Sequence, residues 1–262
     1  MKKWFLYIFL IVLLSIGFAI GGIKIYKIVH AKKSKVTEPR EELPMIDLSE
    51  TTEKRLMAQV ISASPKIIST KGSGTGFLFS KNGLIVTALH VVGVDNVVTV
   101  KFYEIDEDCS TLTLVSSITG FVIGWSDASV DIAFIKIYDV PTGLEPLVAA
   151  SPDSLLLDQP IWRFGYGRNY KWAYGQYLPT SCEGTEIKRH SIIIPVEPGA
   201  SGGPMVNGLG EVIGVTQFYY NDTDDLVTIG DKLTRQYKYK PSKAVFLPIT
   251  YVTDFMALKN IE

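Results

Sequence analysis

Residues 198–219 read PGASGGPMVNGLGEVIGVTQFY. Ser201 stands between glycines in a stretch bounded by Pro198 and Pro204. Glycine takes positive φ at little steric cost, so this stretch reads as a tight turn. Two short apolar runs follow, Met205–Asn207 and Val212–Tyr219, of strand length. The segment is therefore turn, strand, turn, strand. The same rhythm extends outward from it. Beyond Pro65, β-rich runs recur between Gly, Asn, Asp and Ser punctuation. They are Lys66–Ser69, Thr75–Ser80, Leu84–Ala88, Val97–Tyr103, Leu112–Gly124, Ile132–Tyr138, Pro160–Tyr166, Lys171–Leu178, Ile187–Pro195 and Ala244–Leu247, besides the two above. Lys81-Asn82-Gly83-Leu84 reads as an Asn-Gly hairpin turn. Thr250 to Lys259 follows Pro248 and spaces Val252, Phe255, Met256 and Leu258 as a helix does, so a terminal helix is expected. Many short strands, few helices and no internal repeat imply an all-β sandwich or barrel.

The chain has 262 residues, 47% hydrophobic and 20% charged, which excludes a disordered polyelectrolyte or a collagen-like fibre. Its net charge of −1 conceals two unlike parts. Residues 1–40 hold 8 Lys/Arg against one Glu, a net of +7, and the remainder holds 18 against 26, a net of −8. An acidic body lacks the basic footprint of a nucleic-acid binder. Trp4 to Ile23 is a run of 20 residues without a charge, long enough as a helix to span about 30 Å of hydrocarbon. A secretory signal peptide is the competing reading, but the run is long for one and Gly17-Phe18-Ala19 is a poor cleavage site. An uncleaved transmembrane anchor at residues 4–23 is preferred, behind a tail at 1–3. Lys2 and Lys3 favour the N-terminus inside, whereas Lys24, Lys27, Lys32, Lys33 and Lys35 favour the reverse. The expectation is a single-pass protein whose body faces away from the cytoplasm. Residues 24–54 read as a basic juxtamembrane stretch and polar stalk. A short helix is expected over Glu53–Ser62, capped by Thr51 or Thr52, and the folded domain over residues 55–262.

Chemistry concentrates in three residues. His90 follows an apolar strand in Thr87-Ala88-Leu89-His90, and Asp131 opens the strand Ile132-Ala133-Phe134. Ser201 occupies the glycine turn. A serine hydroxyl is a weak nucleophile that needs a base, and histidine is the usual one near neutral pH. An aspartate on the other ring nitrogen fixes the tautomer. The turn can aim the N–H groups of Gly199 and Ser201 at one point, as an acyl-transfer oxyanion requires.

Gly72-Ser73-Gly74-Thr75-Gly76-Phe77, Thr87-Ala88-Leu89-His90, Asp131-Ile132-Ala133 and Gly199-Ala200-Ser201-Gly202-Gly203-Pro204 together resemble the trypsin-like serine peptidases of chymotrypsin fold. The glycine-rich first motif and short loops are most similar to the HtrA/Deg-type branch. Each motif alone is weak. In the order His, Asp, Ser, at separations of 41 and 70 residues, they reinforce one another. The resemblance implies two packed six-stranded antiparallel β-barrels with a C-terminal helix. It makes His90 the general base and acid, Asp131 its orienter, Ser201 the nucleophile, and Gly199 with Ser201 the oxyanion hole. Pro195, six residues before Ser201, would line the base of the first specificity pocket, which favours a small or apolar side chain over Lys or Arg. Gln217, Phe218 and Tyr219 would pair with an extended substrate, the two aromatic residues narrowing the pocket. Partners are then protein or peptide substrates and, through residues 4–23, a membrane. No cofactor or metal is implied, and the oligomeric state is left open.

Other hydrolase plans fit less well. An α/β-hydrolase needs its histidine after the serine, and none follows Ser201. The subtilisin order needs an aspartate before the histidine, and Asp47 falls in the expected stalk. His30, His90 and His190 are dispersed and form no zinc pattern. Cys109 and Cys182 lie 73 residues apart, and a bridge between them is not favoured. Asn221 to Asp225 reads as a solvated acidic turn without calcium-loop spacing. Ala200 replaces the aspartate that precedes the nucleophile in secreted digestive relatives, so activation by N-terminal insertion is not expected. The chain ends soon after the terminal helix, so no PDZ domain is expected. A non-catalytic peptide-binding module, or a latent enzyme with a misassembled Glu197–Ser201 loop, is the alternative.

Overall fold

The computed structural model describes residues 50–107, 109–151, 159–166, 172–178, 189–194, 198–220 and 243–261. The apolar run 4–23, the stretch 24–49, Pro195, Cys182 and the acidic segment 221–225 lie outside them. Among the described residues no helix is long and apolar enough to cross a membrane.

Helix α1, Glu50–Ser62, starts three residues before its expected position. Leu56, Val60 and Ile61 form its buried stripe at i, i+4 and i+5. Its last turn closes through the amide of Ala63 on the Gln59 carbonyl, and Pro65 prevents continuation. Glu53 anchors the other face: its Oε1 accepts from the indole N–H of Trp162 at 3.2 Å and of Trp172 at 3.1 Å.

Each of the twelve expected strands is present, with ends shifted by a few residues. β1 (Lys66–Ser69), β2 (Gly72–Leu78), β3 (Leu84–Thr87), β4 (Val97–Ile105), β5 (Leu112–Trp125) and β6 (Ala133–Lys136) pair in the cyclic order β1-β2-β3-β6-β5-β4. β7 (Pro160–Phe164), β8 (Trp172–Leu178), β9 (His190–Ile193), β10 (Pro204–Val206), β11 (Val212–Tyr220) and β12 (Lys243–Pro248) pair in the order β10-β11-β12-β9-β8-β7. Both rings close. The Asn82-Gly83 turn forms between β2 and β3, with Gly83 at φ +90°. A short helix, α2 (Leu89–Val92), follows β3 directly and was not foreseen. The terminal helix α3 spans Ile249–Lys259 and ends at Asn260 in the left-handed region.

Alternation along the strands decides what fills the space between the two rings. Phe77, Leu84, Val86 and Phe134 of the first meet Trp162, Phe164, Val206, Val215 and Leu247 of the second, with Leu56 and Ile61 of α1 and Val252 of α3. Fully burying each such side chain contributes about 1.5–3 kcal/mol. This shared core sets the two rings against each other and so fixes the cleft where the sequence motifs converge.

Candidate active site

His90 lies in the single turn of α2, immediately after β3. Its Nδ1 is 2.8 Å from Asp131 Oδ2, and its backbone N–H donates to Asp131 Oδ1 at 2.9 Å. One carboxylate thus holds both the ring and the main chain of the histidine. The His90 side chain is 36% exposed and that of Asp131 16%, so the imidazole faces the cleft while its partner is shielded. Asp131 has φ +62°, a conformation that L-residues other than Asn and Asp seldom adopt. A compact turn imposes it. Asp127 accepts from the Ser129 hydroxyl, from the Val130 amide at 3.0 Å and from the Ser129 amide at 2.8 Å, which together hold its carboxyl below the usual range. The Asp131 amide donates to the Asp127 carbonyl at 3.0 Å, and Ser126 Oγ accepts from Ile132 N–H at 2.9 Å. Asp127 is therefore a turn-former, and Asp131 is the aspartate that reaches the histidine.

The Ser201 turn is built by glycines whose spacing now has a reason. Gly199 and Gly202 sit at φ +100° and +81°. A Cβ on Gly202 would lie 2.2 Å from Thr87 Oγ1, 2.3 Å from the Thr75 carbonyl and 2.7 Å from Ala88 N, so the turn abuts the segment that leads into His90. A Cβ on Gly203 would meet the Phe164 carbonyl at 2.4 Å, and one on Gly74 would meet Val91 at 2.5 Å. Thr75 ties the turn to the first barrel. Its amide donates to the Ser201 carbonyl at 2.8 Å, and its hydroxyl donates to the Gly199 carbonyl at 2.7 Å. That hydroxyl also accepts from Tyr166 N–H at 3.0 Å, and Thr87 Oγ1 donates to the Thr75 carbonyl at 2.7 Å. The Tyr166 phenol donates to the Ser64 carbonyl at 2.8 Å, and burial pushes its pKa up.

Ser201 is buried, and its hydroxyl donates to the Gln217 carbonyl at 3.3 Å. Among the described residues no hydrogen bond joins it to His90, and no acceptor takes the N–H of Gly199 or Ser201. Ala200 is buried in the second barrel's core, where the Gly165 backbone touches it. Beyond Thr216 the β10-facing edge of β11 carries no partner strand among the described residues. The Gln217 side chain is wholly buried and points toward the Asp131 turn. His190 opens β9 and stacks on Phe246 with ring centroids 5.5 Å apart, beside the Tyr177 hydroxyl. It belongs to the second barrel's interior, and burial lowers its pKa. Cys109 is a free thiol in the β4–β5 turn, and no metal-ligand cluster occurs among the described residues.

Three residues at this site escaped the sequence reading: Thr75, Thr87 and Arg189. Thr75 and Thr87 do lie inside quoted motifs, and their positions next to Gly74 and Ala88 were the available signal. Arg189 Nε donates to Gln217 Oε1 at 2.6 Å, and nothing in the sequence around it marks that contact.

Residues 74–215, more than half of the chain, match the family model of the trypsin-like peptidase domain. The chain belongs to that family. Among curated proteins, this trypsin-like peptidase domain is 26% identical over 185 residues to a serine protease HtrA-like protein of Staphylococcus epidermidis, covering 63% of the chain and 29% of the relative. It is 28% identical over 152 residues to a probable periplasmic serine endoprotease DegP-like of Pseudomonas fulva, covering 54% and 28%. The chain thus spans less than a third of either relative's length. Among solved structures it is similar to an inactive form of the Rv3671c protease, with a TM-score of 0.58, 21% identity, and 79% of this chain against 93% of that one. It is similar also to the serine endoprotease from Yersinia pestis, with a TM-score of 0.58, 19% identity, and 82% against 67%. Both likenesses are to the fold.

Proposed function

We propose that this chain is a membrane-anchored serine endopeptidase that cleaves peptide bonds through an acyl-enzyme on Ser201. The observation that supports it most is the doubly bonded His90–Asp131 pair beside a glycine-turned serine in a trypsin-like peptidase domain. In the reaction Ser201 Oγ gives up the Gln217 carbonyl for His90 Nε2; such catalytic contacts commonly tighten only when substrate arrives. Oγ then attacks the scissile carbonyl while Nε2 takes its proton. Asp131 keeps Nδ1 protonated and stabilises the imidazolium. The N–H groups of Gly199 and Ser201 receive the oxyanion. Collapse returns the proton from Nε2 to the leaving amine, and water repeats the cycle in reverse to release the acid.

The substrate binds as an added strand along Gln217 to Tyr219. Pro195, Phe218 and Tyr219 favour a small or apolar residue before the cut. Residues 4–23 anchor the chain, with the protease domain on the extracytoplasmic side. A fluorophosphonate probe should label the wild type, and Ser201→Ala should abolish labelling and lower turnover on the order of 10⁴–10⁶-fold. Undiminished proteolysis by that variant overturns the proposal. Protease protection of intact membranes with a C-terminal tag reports the side. The resting position of Ser201 Oγ on the Gln217 carbonyl favours a second reading, a latent enzyme. In that case labelling requires an added peptide.

A further inference from the structure

We infer that Gln217, oriented by Arg189, is a positioning residue that holds Asp131 in register with the nucleophile across the two barrels. The inference rests on the protease reading for its effect on turnover.

The register between β11 and β12 slips between Thr216 and Phe218, so Gln217 sits on a β-bulge. A bulge releases the backbone from the ladder and re-aims the side chain. Here the released carbonyl takes the Ser201 hydroxyl, and the side chain leaves its own barrel. Its Nε2 donates to the carbonyls of Val130 at 2.5 Å and Asp131 at 3.3 Å. Its Oε1 accepts from Arg189 Nε at 2.6 Å, and Arg189 Nη2 donates to the Ser129 carbonyl. Both side chains are buried. A guanidinium only donates, so it forces the amide oxygen toward itself and the amide nitrogen toward the two carbonyls. The three consecutive carbonyls of Ser129, Val130 and Asp131 are thereby gripped from the second barrel. Asp131 needs such support, because a residue at positive φ persists only where its surroundings over-determine it. The first barrel supplies the inner half of that support through Asp127, and Gln217 supplies the outer half. The side chain touches neither substrate nor reacting atoms and acts through Asp131.

The test uses the full-length chain. Gln217→Leu keeps the bulk and removes both hydrogen-bonding ends. Gln217→Glu keeps the acceptor for Arg189 but removes the donor to the carbonyls. Per active site titrated with fluorophosphonate, each should lower kcat about 10–100-fold, with KM for a peptide substrate within twofold of wild type. Arg189→Met should lose more than Arg189→Lys, and the double variant with Gln217→Leu should be no worse than the poorer single one. Proton NMR should show a low-field His90 Nδ1–H signal, absent in Asp131→Asn, which shifts or broadens in the Gln217 variants. If Gln217→Leu does not fold, Gln217→Glu and Arg189→Met decide. A kcat within twofold of wild type, or an unmoved low-field signal, overturns the inference. If the wild type neither labels nor hydrolyses, the protease reading fails and the signal alone decides the Gln217 role.

Discussion

His90 and Asp131 belong to the first barrel and meet through two hydrogen bonds over 41 residues of chain. The Ser201 turn belongs to the second barrel, yet its carbonyls at Gly199 and Ser201 are both held by Thr75 of β2, more than 120 residues away. The His90–Asp131 pair is thus bonded within the first barrel and braced from the second only at the carbonyls of the Asp131 turn, whereas the serine turn has two of its own carbonyls held by the opposite barrel. The difference teaches that the barrel interface, more than either barrel, sets the geometry of the nucleophile. Damage at the interface should move Ser201 before it moves the His90–Asp131 pair.

Gly202→Ala should break this arrangement hardest. It adds a methyl 2.2 Å from Thr87 Oγ1 at a φ of +81°, where an L side chain is strained as well as crowded. A loss of about 4 kcal/mol or more in urea unfolding is expected, and an unchanged midpoint would show that the barrels can part without penalty. Thr75→Val sharpens the comparison. It keeps the shape but leaves Tyr166 N–H and the Gly199 carbonyl without their hydroxyl partner, at about 1–3 kcal/mol. Fluorophosphonate labelling should slow about tenfold, while the low-field His90 signal stays in place. Movement of that signal would mean the two halves are not separately held. The smallest effect lies away from the cleft. Burial keeps the His190 imidazole below its ordinary value of 6.5 in the folded state. The unfolded chain then binds a proton that the folded one refuses, so stability falls as pH drops through about 6.5 toward the folded value. Between pH 7.5 and 5.5 the Tm of wild type should fall more than that of His190→Asn. Equal slopes would remove His190 as the cause.

Much of the fold was legible because strands and turns declare themselves locally. Glycines at 83, 199 and 202 marked turns that do form, and the β-rich runs between Lys66 and Leu247 all became strands. The short helix carrying His90 was not legible, since four residues give no periodicity to read. The candidate site was legible as far as motifs reach. They selected Asp131 although Asp127 and Asp139 stand nearby, and the structure gives the reason in the turn that Asp127 folds around it.

By itself the sequence determined the strand succession, the glycine turns, membership of the trypsin-like peptidases and the identity of the three candidate residues. Those depend on residue type and spacing along the chain. Only the tertiary structure decided that Thr75 grips the serine turn, that Glu53 anchors two tryptophans, and that Gln217 and Arg189 reach the Asp131 loop. Each of these is a hydrogen bond between groups remote in sequence. Such a bond forms only because burial in the shared core leaves a polar group no solvent and one partner within reach.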